Sequence, residues 1–298
     1  VDTINKGEIH IVEPDLDTFV HAAVTSGKLH ASTISAEADV FMICVPTPFV
    51  HDSNPIPQPD ISYVVAAAKV ISDYVRPGNI VILESTSPVG TTELVRDTLQ
   101  QCGVDVSALY FSYCPERVLP GRIMIELIEN DRVVGGLTTT ATDLTAAFYK
   151  TFVKGEVLKT DSRTAEMCKL VENSSRDVGI AFANELSILC DGLGIDVNEL
   201  IRFANRHPRV NILQPGCGVG GHCIAVDPWF IVSKDPKNSN LIRTAREVNE
   251  YKNQWVIEKI KNLALQFQID NGRPARIACM GLAFKPDIGD LRQSPALA

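Results

Sequence analysis

Ala38-Asp39-Val40-Phe41-Met42-Ile43-Cys44-Val45-Pro46-Thr47-Pro48 is an unbroken apolar run closed by two prolines. A run without polar alternation marks a strand covered on both faces. Proline can continue neither a helix nor a ladder, so the strand must end in a turn at Pro46. The pattern recurs. Asn79-Ile80-Val81-Ile82-Leu83-Glu84 is a second strand, followed by Ser85-Thr86-Ser87-Pro88-Val89-Gly90. Tyr110-Phe111-Ser112-Tyr113 is a third, closed by Cys114-Pro115-Glu116, and residues 132–136 read as a fourth. Helical spacing lies between them, at 61–74 and from about Thr91 to Gln101. Strands alternating with helices predict a doubly wound α/β layer. Ligands of such sheets sit beyond the carboxyl ends of the strands, where Thr47, Thr86 and Glu116 fall.

At 298 residues the chain reads as two domains with part of a third. A hydrophobic content of 45% with 21% charged residues is that of a globular protein. The net charge of −8 argues against nucleic-acid binding, so an anionic ligand must be held by a few local Arg and Lys residues. No apolar run reaches the length of a membrane span and no signal-peptide pattern opens the chain, so membrane insertion is not expected. The eight cysteines are scattered without a Cys-x-x-Cys pair, which argues against a disulfide scaffold and a zinc site alike. A reducing cytoplasm fits, and no metal is expected.

From Asp161 the texture changes. Asp161 or Ser162 can cap a helix running to Gly192-Leu193-Gly194. Its apolar positions, Met167, Leu170, Val171, Val178, Ala181, Phe182, Leu186 and Leu189, cover more than one face, which suits burial between domains or subunits. Lys169 and Asn173 lie one turn apart on it. Further helices are expected at 197–205 and about 241–267, and residues 1–7 read as a helix tail with a glycine stop. Arg276-Ile277-Ala278-Cys279-Met280-Gly281 reads as a strand opening a second α/β unit.

Between the helices lies Pro215-Gly216-Cys217-Gly218-Val219-Gly220-Gly221-His222-Cys223-Ile224-Ala225-Val226-Asp227-Pro228-Trp229. Glycine runs are entropically costly and are kept where backbone approaches something closely or adopts a positive φ. A thiol on such a turn can meet a substrate carbon without a bulky neighbour, which makes Cys223 the candidate nucleophile. On this stretch alone the other reading, a buried apolar thiol, stays open.

Taken in order, Val45-Pro46-Thr47-Pro48, residues 84–90, Pro115-Glu116-Arg117, residues 166–173, Pro208-Arg209-Val210-Asn211, residues 218–228 and residues 281–294 resemble the nucleotide-sugar 6-dehydrogenases. This family contains the UDP-glucose and GDP-mannose dehydrogenases. Each motif is weak alone, and the set spans essentially the whole chain. The resemblance implies an incomplete Rossmann-like doubly wound sheet at 1–160, a central all-helical dimerisation and catalytic domain at 161–268, and the start of a UDP-binding α/β domain at 269–298. It implies NAD as cofactor, a UDP-sugar as substrate and a homodimer formed through the long helix. The family oxidises a sugar C6 alcohol to a carboxylate with two NAD⁺. Cys223, as thiolate, would attack the intermediate aldehyde to form a thiohemiacetal, and the second oxidation would leave a thioester for water to cleave.

The same resemblance implies roles for further residues. Lys169 would supply positive charge to a developing oxyanion, with Asn173 as a second donor. Asp227 would hold a water or relay protons, Glu116 would act as general base in hydrolysis, and Thr86 would position water near the cofactor. Val45, Pro46, Thr47, Ser85, Thr86 and Arg292 are the expected cofactor residues. Substrate contacts are expected from Glu116, Arg117, Lys169, Asn173 and Gly220, with Asn211 and His222 beside them. Arg209 would reach a neighbouring subunit's site, and Lys285 with Arg292 would suit a diphosphate.

Hexose-specific members carry Ser-Cys-Phe-Pro-Lys-Asp where this chain has His222-Cys223-Ile224-Ala225-Val226-Asp227. That departure is similar to members acting on N-acetylhexosamine nucleotides and implies an acetamido sugar. Members also begin with a strand and a Gly-x-Gly-x-x-Gly turn that cradles the cofactor pyrophosphate. No such turn stands near the start here, and Gly216-x-Gly218-x-Gly220 follows helices instead of a strand. The chain therefore reads as the central portion of an enzyme, cut at both ends. The alternatives are the same chemistry on UDP-N-acetylglucosamine or a hexose nucleotide, and a non-catalytic dimerising fragment.

Overall fold

In the computed structural model, which describes all residues except 12, 51–53, 120, 222, 284–290, 292–293 and 298, the run at 38–45 becomes strand β1, Val40–Ile43. It is preceded by helices α1, Asp2–Asn5, and α2, Leu16–Thr25. Then follow α3, Ser62–Ile71; β2, Ile80–Leu83; α4, Thr91–Gln101; and β3, Tyr110–Tyr113. Next come α5, Ile123–Glu129; β4, Arg132–Gly136; α6, Thr139–Tyr149; and β5, Val157–Asp161. The helical part comprises α7, Ser162–Leu193; α8, Val197–Ala204; α9, Asp227–Lys234; and α10, Asn240–Asn271. The chain divides into two units, residues 1–53 with 59–169, and residues 54–58 with 170–298.

The first unit is the expected doubly wound layer. Its five strands lie in the order β1-β2-β3-β4-β5. Strands β1, β2 and β3 are parallel, β4 runs antiparallel to β3, and β5 is parallel to β4. Successive side chains of a strand point to opposite faces. Val81 and Leu83 of β2 accordingly join one core with Phe41, Phe111, Val64 of α3 and Leu99 of α4. Ile82, between them, joins a second core with Val134, Val157 and Ala146 and Tyr149 of α6. Each Val, Leu, Ile or Phe side chain so buried contributes about 1.5–3 kcal/mol. Strand β5 was not legible in the sequence because Val-Leu-Lys-Thr-Asp is an edge strand with only Val157 fully covered.

Helix α4 starts at Gly90, whose φ of 98° lies in the left-handed region that glycine adopts without strain. The cap comes from far along the chain. The buried Glu166 carboxylate accepts the Gly90 N–H at 2.6 Å, the Thr92 N–H at 2.8 Å and the Thr92 hydroxyl at 2.7 Å. Burial raises the pKa of Glu166 above the ordinary carboxylate range, against the lowering effect of these donors. Asp161 caps α7 as expected, accepting the Thr164 N–H at 3.0 Å and hydroxyl at 2.6 Å.

The long helix α7 has the expected bounds, and its buried side carries polar residues as well as the expected Leu170 and Ala181. Glu166, Asn173, Asp177 and Asn184 are buried, and their spacings of seven, four and seven place them on one face. Met167, Val171, Phe182 and Leu189 are exposed in the single chain. Asp227-Pro228 starts α9, because proline at the first helical turn gives up an N–H that has no partner there anyway. One reading is corrected. Residues 276–281 form no strand, since no described segment pairs with them. Among the described residues no helix is long and apolar enough to cross a membrane.

Replacing Glu166 by Ala leaves the Thr92 and Gly90 donors buried without an acceptor. The expected loss is about 3 kcal/mol of stability, read as a lower denaturation midpoint at unchanged slope.

Candidate active site

In the first unit, the sites predicted at the ends of β1 and β2 come together. The ladder continues past both strands, with the N–H groups of Glu84 and Ser85 donating to the Ile43 carbonyl at 3.0 and 3.2 Å. The Ser85 hydroxyl accepts the Val45 N–H at 2.8 Å and donates to the Ile43 carbonyl at 3.2 Å. The Thr47 hydroxyl donates to the Thr86 carbonyl at 2.7 Å. Val45, Thr47, Ser85 and Thr86 thus form one cross-braced ledge, and exposed Pro46 contributes a rigid backbone without a donor. Because these hydroxyls are spent on the protein itself, they position the ledge.

Glu116 lies just beyond β3. Its Oε1 accepts the Arg117 N–H at 2.6 Å and its Oε2 accepts Arg132 Nη1 at 2.8 Å. The antiparallel register produces this pair. Ser112 faces Gly136 and Tyr113 faces Gly135, so three further steps bring Glu116 opposite Arg132. The Arg132 side chain is 3% exposed and that of Glu116 33%. Arg132 also donates to the Leu127 carbonyl at 3.2 Å and lies 5.6 Å from the centre of the Tyr149 ring. Burial works against the Arg132 charge, but Glu116 outweighs it, and the guanidinium pKa is raised.

The Tyr149 hydroxyl donates in turn to Glu84, which also receives the Cys44 thiol at 3.2 Å. Burial pushes the Cys114 thiol up to about 12, so this cysteine stays neutral and is no rival nucleophile. Sequence reasoning missed Arg132, Glu84 and Tyr149. The available signal was Arg132 itself, because an arginine in an otherwise apolar buried strand requires an acidic partner. Arg117 is half-buried, with its guanidinium donating to the Asp131 carbonyl.

In the second unit, the turn after Cys223 winds directly into α9. The Cys223 carbonyl accepts the N–H groups of Val226 at 3.0 Å and Asp227 at 2.8 Å. Cys223 is half-buried. Asp227 is buried in the first turn of α9, where the helix dipole favours a carboxylate, and accepts Asn173 Nδ2 at 2.6 Å. Three predicted residues, Asn173, Asp227 and Cys223, therefore belong to one bonded assembly. Lys169 is half-buried one turn before Asn173 on α7. Gly218 has a φ of 130°, and a Cβ there would lie 3.3 Å from Pro295 Cγ, so any side chain would be both strained and crowded. Gly220 is half-buried.

Arg209 and Asn211 lie on an exposed loop after α8. Asn205 ties off that loop, donating to the Ile212 carbonyl at 2.9 Å and accepting its N–H at 2.7 Å. His222, Lys285 and Arg292 fall outside the described residues.

Comparison with known proteins identifies relatives along the whole chain. Residues 1–153 match the NAD binding domain of the UDP-glucose/GDP-mannose dehydrogenase family, and residues 163–251 match its central domain. The chain is 56% identical over 307 residues to a UDP-N-acetyl-D-mannosamine dehydrogenase of Campylobacter jejuni, covering 100% of this chain and 73% of that protein. It is 54% identical over 306 residues to an NDP-N-acetyl-D-galactosaminuronic acid dehydrogenase of Ralstonia nicotianae, covering 100% of this chain and 70% of the relative. The structure of a UDP-D-ManNAc dehydrogenase from Pyrococcus horikoshii superimposes with a TM-score of 0.89 at 39% identity, covering 99% of this chain and 71% of the other.

Arg132→Met removes a buried cation and leaves Glu116 without its partner. A destabilisation of about 3 kcal/mol is expected, and thermal unfolding of the variant beside the parent protein measures it.

Proposed function

We propose, given that the chain belongs to the UDP-glucose/GDP-mannose dehydrogenase family, that its substrate is UDP-N-acetyl-D-mannosamine, oxidised at C6 to the uronate. The chain is an NAD-dependent nucleotide-sugar dehydrogenase. Two features support the choice of sugar. One is the His222-Cys223-Ile224-Ala225-Val226-Asp227 loop in place of the hexose pattern, and the other is the 56% identity to a dehydrogenase named for that sugar. The observation that carries the chemistry is the bonded assembly of Asn173, Asp227 and the Cys223 turn.

The ledge of Val45, Pro46, Thr47, Ser85 and Thr86 would hold NAD, because it lies beyond the carboxyl ends of β1 and β2 and is braced by the Ser85 and Thr47 hydroxyls. When bound, NAD⁺ accepts a hydride in each of the two oxidations. Cys223, as thiolate, forms a bond to the C6 aldehyde carbon and gives a thiohemiacetal. Lys169 and Asn173 stabilise the oxygen charge that develops there. After the second oxidation the sugar is held as a thioester. Glu116 takes a proton from water while the water oxygen bonds the acyl carbon, and the C–S bond breaks with Cys223 leaving as thiolate. Asp227 holds water or relays the proton, and Thr86 orients water beside the ledge. Arg117, Gly220, Asn211 and His222 line the sugar nucleotide, and Lys285 and Arg292 meet its diphosphate.

The division at 1–160, 161–268 and 269–298 assigns cofactor binding, dimerisation with catalysis, and UDP binding in that order. A homodimer forms through the outer face of α7, and Arg209 serves the neighbouring subunit's site. Phe182 on α7 is 54% exposed and Phe203 on α8 is 60% exposed, an area that a second copy would cover. The protein works in the cytoplasm.

The deciding measurement is NADH formed per sugar nucleotide consumed, with UDP-N-acetylglucosamine and UDP-glucose run alongside. Two NADH per UDP-N-acetyl-D-mannosamine are expected, with little from the others. Cys223→Ser should lose the second oxidation, and one NADH from the parent protein would refute the thioester route. Sedimentation should find a dimer that Phe182→Glu converts to a monomer, whereas a monomeric parent at micromolar concentration would remove the dimer.

A further inference from the structure

The loop carrying Cys223 is attached to α7 at both ends. At its end, Asp227 accepts Asn173 Nδ2 at 2.6 Å. At its start, the Gly216 N–H donates to Asn184 Oδ1 at 2.8 Å. Asn173 and Asn184 lie on the same buried face of α7, eleven residues apart, and so are separated by about 16 Å along the helix. The loop from Gly216 to Asp227 also advances eleven residues, which fully extended could span about 36 Å. The anchors lie well within that reach, so they do not stretch the loop but set where it leaves and rejoins the helix face.

The polarity at Asn184 cannot reverse. Gly216 offers only an N–H, so Asn184 must present its oxygen there and its Nδ2 to Asn249 Oδ1, at 2.8 Å. Asn249 must then turn its Nδ2 to Asp177, donating to Oδ1 at 2.8 Å and to the carbonyl at 3.1 Å. Asp177 Oδ1 also accepts Arg246 Nη1 at 2.7 Å. Flipping either amide would set oxygen against oxygen next to a carboxylate. Asn184 is fully buried, and this chain of amides fixes its orientation.

We propose that Asn184 is a positioning residue for the reacting cysteine, holding the start of its loop on the helix face whose Asn173 holds the end. This rests on the reading of Cys223 as the nucleophile. Asn184 touches neither substrate nor cofactor; it acts through the Gly216 backbone. A small displacement of a nucleophile slows reaction strongly while leaving substrate affinity nearly untouched.

The test compares Asn184→Ala, which frees Gly216, with Asn249→Ala, which breaks the link to α10 but leaves the Gly216 bond. Three quantities are read: alkylation of Cys223 by iodoacetamide, followed on its peptide by mass spectrometry; kcat; and KM for the sugar nucleotide. Asn184→Ala should slow alkylation and kcat by about ten- to a hundredfold with KM little changed, and Asn249→Ala should lower Tm with a much smaller effect on Cys223. Unchanged alkylation in Asn184→Ala, or equal effects from both variants, would overturn the proposal. Should Asn184→Ala fail to fold, hydrogen exchange in the parent protein decides. The Gly216 amide should be protected like a helix amide, and exchange at the rate of a free peptide would sink the clamp. Retention of both oxidations by Cys223→Ser would instead refute the nucleophile reading, while Gly216 protection still reports on the clamp itself.

Discussion

Burial of polar side chains along one face of α7 is the constraint on which the other arrangements depend. A buried carboxylate or amide without partners is strongly unfavourable, so each must be matched by a group of opposite character. Glu166 meets this demand with the start of α4, Asn173 with Asp227, Asp177 with Arg246 and Asn249, and Asn184 with Gly216 and Asn249. Four demands on one helix face therefore determine where a helix begins, where a loop starts and where it ends. Leu170, Ala181 and Ala183 share the buried side of the helix, while Phe182 and Leu189 are left on the surface.

The antiparallel placement of β4 plays a comparable part in the sheet. Were β4 parallel to β3, its first residue would lie at the opposite end of the sheet from Glu116. Running the other way, it delivers Arg132 to the carboxyl ends of β1–β3, beside Glu116 and under the Tyr149 ring. The carboxylate proposed as the general base is thereby held in place by a cation that is itself almost inaccessible to water. Tyr149 and Glu84 extend the bonded set toward the end of β2, so the groups at the three strand ends are mechanically linked.

Most of the first unit was legible locally. The strands at Val40, Ile80, Tyr110 and Arg132 announce themselves by apolar runs ended at polar or proline-containing turns, because a strand covered on both faces leaves no place for polar alternation. The ledge of Val45, Thr47, Ser85 and Thr86 follows from that reading, since parallel neighbours put their ends side by side. Cys223 and Asp227 stood out because four glycines in six positions are costly without a use. Less was legible where a residue's meaning comes from a distant partner. Glu166 as the cap of α4 joins groups 74 positions apart, and no local pattern encodes it. The polar face of α7 was not legible for the same reason, since its buried residues are identified only by their distant partners.

The amino-acid sequence by itself determined the alternation of strands and helices, the length of α7, the family and the set of residue types available for chemistry. These depend on periodicity, turn chemistry and short motifs, all of which are local. Only the tertiary structure decided the direction of β4, the pairing of Arg132 with Glu116, which face of α7 is buried, and the two attachments of the Cys223 loop. Each of those is a contact between residues far apart in the chain, where the energy of satisfying a buried charge or amide overrides local preference.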